Sequence, residues 1–345
     1  MIKSWLFEFF HQPLDEQRRS DPKAVNDHFH WYLDLWTRAD TRNFEGIFFS
    51  EHHFGAAYSP SPNLLISHVA ARTSRLRLGV LGSVSPYATP WRVVEEIAML
   101  DHLTNGRLEI GVVSGIPPEL AVVGITPDVA SARHAEVIDV LDAALKDPVI
   151  SHHGTQWNFD DLEILPRCLQ QPSPPVWTAV RTAASAERAG RRGWKACGGF
   201  LSAKEVGEVF DAYRQGAEEA GHAHGPDQIA VRRMITFVDA PSEQREAVHR
   251  AKRALLDVLT ASAGPLPPWA SLLDRPDESI ATLSDEEFVS GTPQQVAEQL
   301  IEQCQIIGAG HLLVAFSERD YERLEQSHEL FSTEVAPLLH EAGVA

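Results

Sequence analysis

Short β-like runs alternate with amphipathic helical patterns almost from one end of the chain to the other, and few folds accommodate that rhythm. The strand candidates are "SWLFEFF" (4–10), "EGIFFSE" (45–51), "RLRLGVLG" (75–82), "RLEIGVV" (107–113), "PVWTAV" (175–180), "KACGGF" (195–200), "AVRRMITFV" (230–238) and "HLLVAF" (311–316). Amphipathic segments lie between them at 23–40, 62–73, 90–104, 131–146, 183–192, 203–220, 242–261 and 293–307, with a last helix from about 319 to 340. Eight strands each followed by a helix is the count of an α/β (β/α)8 TIM barrel, whose active site lies at the C-terminal ends of the strands. The 345 residues are expected to form one such domain over 1–345, since barrels of this size are commonly single units.

Two stretches break the pattern. Residues 147–175 carry no helix periodicity and have four prolines near their end, so an excursion or short hairpin is expected there after the fourth helix. Residues 262–289 are rich in proline, serine and acids, and a loop of that length in a barrel suggests a mobile lid over the mouth.

A formal net charge of -18 argues against a nucleic-acid partner or an anionic membrane surface, because either needs a basic field. No apolar run approaches the roughly 20 residues of a membrane span. The three cysteines, Cys168, Cys197 and Cys304, are far apart and odd in number, which fits a reducing cytoplasm better than a disulfide framework.

Chemistry concentrates in "FFSEHHFG" (48–55). Strand alternation puts Phe48, Ser50 and His52 on one face and Phe49, Glu51 and His53 on the other. If His52 points into the barrel mouth, Glu51 and His53 point toward the helices, where a buried acid needs a cation or donor beside it. Both histidines could equally be hydrogen-bonded packing residues. A metal site could draw on His52, His53, His11, His152 and His153, but adjacent strand histidines diverge and no helical metalloprotease spacing occurs, so none is expected.

"VWTAVRTAASAERAG" (176–190) runs from a strand into a helix, with Arg181, Thr182 and Ser185 at the junction. A helix N-terminus offers unpaired N–H groups to an anion, and an arginine beside it makes best sense when a phosphate lies between. Simple capping by Thr182 is the competing account. No Gly-rich phosphate loop of the Rossmann or P-loop type is present.

"EGIFFSEHHFG", "RLRLGVLGSVSPYATPWRVVEEIAMLDHLTNGRLEIGVVSG", "PPVWTAVRTAASAERAG" and "SGTPQQVAEQL", in that order and at those separations, resemble the bacterial luciferase-like flavin-dependent monooxygenases from about residue 5 to 340. The resemblance implies a barrel that binds reduced FMN at the strand ends, where dioxygen adds to flavin carbon 4a and the resulting peroxyflavin oxygenates an organic substrate. By the same resemblance His52 matches a catalytic histidine beside the flavin, with His53 supporting it. Thr182 and Ser185 match positions that hold the FMN phosphate, and Ala183 in the same turn joins them. Leu81-Gly82 matches a non-prolyl cis peptide beneath the isoalloxazine ring. Where bacterial luciferases carry a reactive cysteine and a phosphate-binding arginine, this chain has Val113 and Ser114, so Arg181 is expected to take over from the facing turn. Ser114 is kept among the cofactor-binding candidates.

Phe9, His11, Phe54, Phe200 and Phe316 lie near strand ends and are the candidate substrate-pocket residues. Their apolar character suggests a largely hydrophobic organic substrate. The resemblance further implies a separate flavin reductase, dioxygen as co-substrate and a homodimer formed through the second and third helices. A deazaflavin-dependent reductase on the same barrel, a non-catalytic flavin-binding protein and a metal-dependent hydrolase are the competing functions.

Overall fold

The computed structural model describes residues 1–13, 15–55, 57–260, 267 and 283–344. Its strands are β1 (Lys3–Glu8), β2 (Gly46–Phe49), β3 (Arg77–Val80), β4 (Ser83–Val84), β5 (Leu108–Val113), β6 (Val149–His153), β7 (Asn158–Glu163), β8 (Val176–Val180), β9 (Lys195–Gly198), β10 (Ile229–Phe237), β11 (Phe288–Gly291) and β12 (His311–Phe316). Parallel ladders run β1-β2-β3-β5-β8-β9-β10-β12, and β12 pairs back onto β1, so eight strands close a barrel. All eight coincide with the alternating runs of the sequence.

Alternation decides what fills the barrel. Trp5, Phe48, Leu81, Trp177, Cys197, Ala230 and Leu313 point inward as one buried cluster, while Leu6, Ile47, Phe49, Leu78, Ile110, Val231 and Val314 face the helices. The rings of Trp5, Phe48 and Trp177 stand 5.0 to 6.1 Å apart by centroid and plug the lower barrel. Each such ring buries on the order of 150–250 Å², a gross hydrophobic gain of about 4–6 kcal/mol before ordering costs. The polar edges are partnered: Trp5 Nε1 donates to His311 Nδ1 at 2.9 Å and Trp177 Nε1 to Glu109 at 2.6 Å. Two glycines make the room. A Cβ on Gly46 would lie 2.6 Å from the Trp5 ring, and one on Gly79 would lie 2.7 Å from Phe48. This cluster closes the barrel interior below the C-terminal ends of the strands.

The helices bury one stripe each, as in Pro22–Arg38, where His28, Tyr32, Leu33, Leu35 and Trp36 face the wall and Asp21 caps the first turn by accepting from the Lys23 N–H. Residues 149–163 form the antiparallel β6/β7 hairpin expected in the first irregular stretch. The second irregular stretch differs from expectation at its C-terminal end. Asp285–Glu287 is a 3-10 turn and Phe288–Gly291 is strand β11, with Glu287, Phe288 and Val289 all buried in the wall. The rest of the lid expected over 262–289 falls outside the described residues, Pro267, Leu283 and Ser284 apart. β10 has nine residues because it serves two neighbours, β9 along Ile229–Val231 and β11 along Met234–Phe237.

Candidate active site at the barrel mouth

β2 ends at Phe49, and the next residues leave the barrel rim with their strand alternation intact. His52 turns inward and His53 outward, as alternation requires. Outward, His53 Nε2 lies 3.1 Å from Glu51, which gives the half-buried acid its partner, and the ring packs edge-on to Tyr87 at 4.9 Å. Inward, the His52 ring lies 5.9 Å from Phe9, and the same phenyl ring is 5.6 Å from His11.

His52 Nδ1 is 2.9 Å from Glu119 Oε1. Glu119 is 2% exposed and sits in the short helix Pro117–Val122 just beyond β5. A carboxylate only accepts, so Nδ1 carries the hydrogen and Nε2 presents its lone pair, which is how a histidine is set as a proton acceptor. Nothing in "SGIPPELAVVG" signals this acid, because two prolines and a six-residue helix leave no periodicity to read. Tyr87 completes the surround: its buried hydroxyl has no hydrogen-bond partner among the described residues, and burial first, then the Glu119 and Glu51 charges, push its pKa up.

The Leu81-Gly82 peptide is cis, as the resemblance implies. Leu81 belongs to the inward cluster, so the bond lies on the inner wall between β3 and β4. Across the mouth, Thr182 caps the helix Ala183–Arg191 in a reciprocal capping box with Ser185. Its hydroxyl accepts from the Ser185 N–H at 3.2 Å, and the Thr182 N–H donates to Ser185 Oγ at 3.2 Å. The capping account of this turn is therefore satisfied within the protein. The N–H groups of Ala183 and Ala184 still take no protein acceptor among the described residues, and Arg181, Thr182, Ala183 and Ala184 are all exposed. Ser114 is exposed at the end of the neighbouring strand β5. Free helix donors, two hydroxyls and a guanidinium suit a phosphate, so the residues present fit the tail of FMN.

The substrate candidates divide. Phe9 and His11 are buried and inward. Both nitrogens of His11 lack a hydrogen-bond partner among the described residues, and burial above all, then Arg319, His52 and His28, hold its pKa well below 6.5, so the ring is neutral. Phe200 turns at the end of β9 with φ 69° and packs between the guanidinium groups of Arg181 (5.4 Å) and Arg232 (4.5 Å). Phe54 stands exposed with φ 61°. Phe316 does not join them. It occupies the outward register of β12, with Leu312 and Val314, and packs on His328 at 4.8 Å and Phe331 at 6.1 Å. Proximity to a strand end had selected it, but alternation turns it toward the helices.

His152 and His153 belong to the β6/β7 hairpin and pair with Glu136 and Asp160, each at 3.1 Å. Among the described residues no group of three metal-ligating side chains converges. Burial pushes the inward Cys197 thiol up to about 12, which leaves it unreactive.

A closed parallel barrel with an acid-paired histidine and an inner-wall cis peptide at the C-terminal end of its strands is the class of protein the geometry defines. Residues 5–310 match the model of the luciferase-like monooxygenase family, and the chain belongs to that family. Over 88% of this chain and 89% of the relative, it is 33% identical to the uncharacterised protein y4wF of Sinorhizobium fredii. It is 27% identical, over 95% of this chain and 94% of the relative, to the oxygenase component of a flavin-dependent trigonelline monooxygenase from Acinetobacter baylyi. In fold it matches the crystal structure of monooxygenase RslO1 from Streptomyces bottropensis, with TM-score 0.80, 24% identity and coverage of 99% and 100% of the two chains. An F420-dependent secondary alcohol dehydrogenase shares the fold at TM-score 0.74 and 17% identity, covering 98% of this chain and 99% of its own.

Proposed function

We propose that this chain is the oxygenase component of a two-component monooxygenase, taking reduced FMN from a separate reductase and using dioxygen to oxygenate a largely hydrophobic organic substrate. The observation that carries the reading is His52, held by Glu119 with its free nitrogen toward the mouth. Ala183, Thr182, Ser185, Arg181 and Ser114 would hold the phosphate, and Leu81 and Gly82 would lie under the ring system. Reduced FMN, when bound, supplies the electrons that activate dioxygen. The protein's own part is to orient the ring, exclude water with Phe9 and Phe200, and move a proton at His52 Nε2. A cytoplasmic setting suits the three free cysteines. Among the described residues no helix is long and apolar enough to cross a membrane.

A homodimer fits the surface. The helices Pro62–Ala70 and Pro90–Leu103 expose Leu64, Met99 and Leu103 at 71%, 54% and 59%, large apolar side chains that a second copy would cover.

Mixing the protein with reduced FMN anaerobically and then with oxygen tests the assignment. A transient absorbing in the near ultraviolet is expected, and prompt reoxidation without transient or product refutes oxygenase activity in favour of flavin storage. Indifference of the bound reductant to oxygen, with hydride transfer instead, would mark a deazaflavin-dependent reductase. Arg181→Ala should weaken FMN binding at least about tenfold, the scale of one charge-assisted contact. Unchanged affinity would remove Arg181 from the phosphate site.

A further inference from the structure

The flavin-type reading above leaves one strongly polar group in the barrel unused. Arg232 lies in the inward register of β10, level with Leu313 of the inner cluster, and is 5% exposed. Its guanidinium carbon stands 5.7 Å from the rings of both Phe7 and Phe9 and 4.5 Å from that of Phe200. It therefore shares the Phe9 ring with His52, whose own ring lies 5.9 Å from it. Nη2 forms an ion pair with Glu287 Oε1, whereas Nη1 has no charged partner, and neither nitrogen makes a hydrogen bond among the described residues.

The charge count is unequal. Glu287 is fully buried and also pairs with Arg233, on the outward face of β10, at 3.1 Å, while its Oε2 accepts from the Phe200 N–H at 2.7 Å. Two guanidinium groups share one carboxylate, so the buried set carries one uncompensated positive charge. The neighbouring acids are occupied elsewhere: Asp285 pairs with Lys252 at 2.5 Å, and Glu286 accepts from the Ala203 N–H at 2.7 Å. Arg181 is a second cation over the Phe200 ring, at 5.4 Å from its centroid. A buried guanidinium with an idle donor is costly unless an acceptor completes it. Two further buried polar groups lack a hydrogen-bond partner among the described residues: Ser290 Oγ on β11, and the neutral His11 ring, 5.6 Å from Phe9.

We infer that the substrate carries an anionic group, a carboxylate or a similar oxyacid, which Arg232 Nη1 binds while the apolar body lies against Phe9 and Phe200. This rests on the mouth being the substrate site, and it narrows the substrate to an organic acid. Arg232 is the specificity-determining residue, and Glu287 sets its aim and moderates its charge. The flavin's own polar edge is the other ligand that could take the idle donor.

The test is calorimetric titration of the full-length protein with matched acid and amide probes: benzoate and benzamide, hexanoate and hexanamide, nicotinate and nicotinamide. Wild type, Arg232→Met, Arg232→Lys and Glu287→Gln are compared, and FMN affinity is measured in parallel by flavin fluorescence. In at least one pair the acid should bind about tenfold or more tighter than its amide. That preference should vanish in Arg232→Met, persist in Arg232→Lys and widen in Glu287→Gln, with FMN affinity held within about twofold throughout. If no acid outbinds its amide in any pair, or the preference survives Arg232→Met, the inference is overturned. If Arg232→Met fails to fold, an unchanged preference in Glu287→Gln overturns it. Loss of FMN affinity in Arg232→Met without any acid preference in wild type would assign the donor to the flavin instead. Failure of every variant and of wild type to bind FMN would sink the oxygenase reading while leaving a measured acid preference standing.

Discussion

Replacing Glu119 with leucine should change which nitrogen of His52 bears the proton. The carboxylate is buried, its Oε1 lies 2.9 Å from Nδ1, and it belongs to a different element from the histidine it holds. A charge-assisted bond of this kind contributes about 1.5–3 kcal/mol, which is roughly a 10- to 150-fold bias toward the Nδ1–H tautomer. Leucine removes that bias, and the ring should revert toward the Nε2–H form, leaving no lone pair facing the mouth. Glutamine keeps an accepting carbonyl and should restore part of the bias, since a neutral bond is about half as strong. Nitrogen-15 NMR of the imidazole reads the tautomer directly, and thermal denaturation checks that each variant folds. The pH profile of oxygen-dependent flavin reoxidation should change shape in the leucine variant and return toward wild type with glutamine. Identical ring-nitrogen shifts in wild type and Glu119→Leu would refute the reasoning, because a purely structural acid leaves the tautomer alone.

Two other outcomes follow from burial. His328 and His311 are held down to about 3, chiefly by burial, with nearby arginines and lysines adding to it. Both stay neutral in the folded chain while the unfolded chain takes up protons near 6.5, so stability is complete above that pH and declines as pH falls from about 6.5 toward 3. Urea midpoints should be lower at pH 5 than at pH 7, with a shallower difference in His328→Gln; equal slopes would contradict the assignment. Phe316→Leu should lower stability by about 1–2 kcal/mol in urea denaturation and leave FMN and acid-probe affinities unchanged. Phe9→Leu should alter probe binding, and the reverse pattern would reinstate Phe316 as a pocket residue.

What the sequence discloses is set by the range over which each signal acts. The barrel strands are short apolar runs bounded by turn residues, and the opposite facing of His52 and His53 needs only the period of a strand. The hairpin 149–163 is foreshadowed by a stretch that lacks helical spacing. Strand β11 is not, since "FVSG" is four residues long and sits among acids and serines. Nearness to a strand end singles out Phe316 but does not say which way its side chain points, and the register of β12 turns it toward the helices. Glu119 and Glu287 stand 67 and 54 residues from His52 and Arg233, and only the closed barrel brings each pair together. The cis peptide at Leu81-Gly82 has no local signature and was reached through resemblance alone.

The change of neighbours midway along β10 has a further consequence. Below Val231 this stave is wedded to β9, as in any closed barrel, while above it the partner arrives from chain that rejoins the wall at Phe288. The rim just above Arg232 is thus supplied by β11, which is not one of the eight strands that close the barrel. In the proposed reading, the side completed by β11 meets the substrate and the side that carries Leu81, Gly82 and Thr182 meets the cofactor.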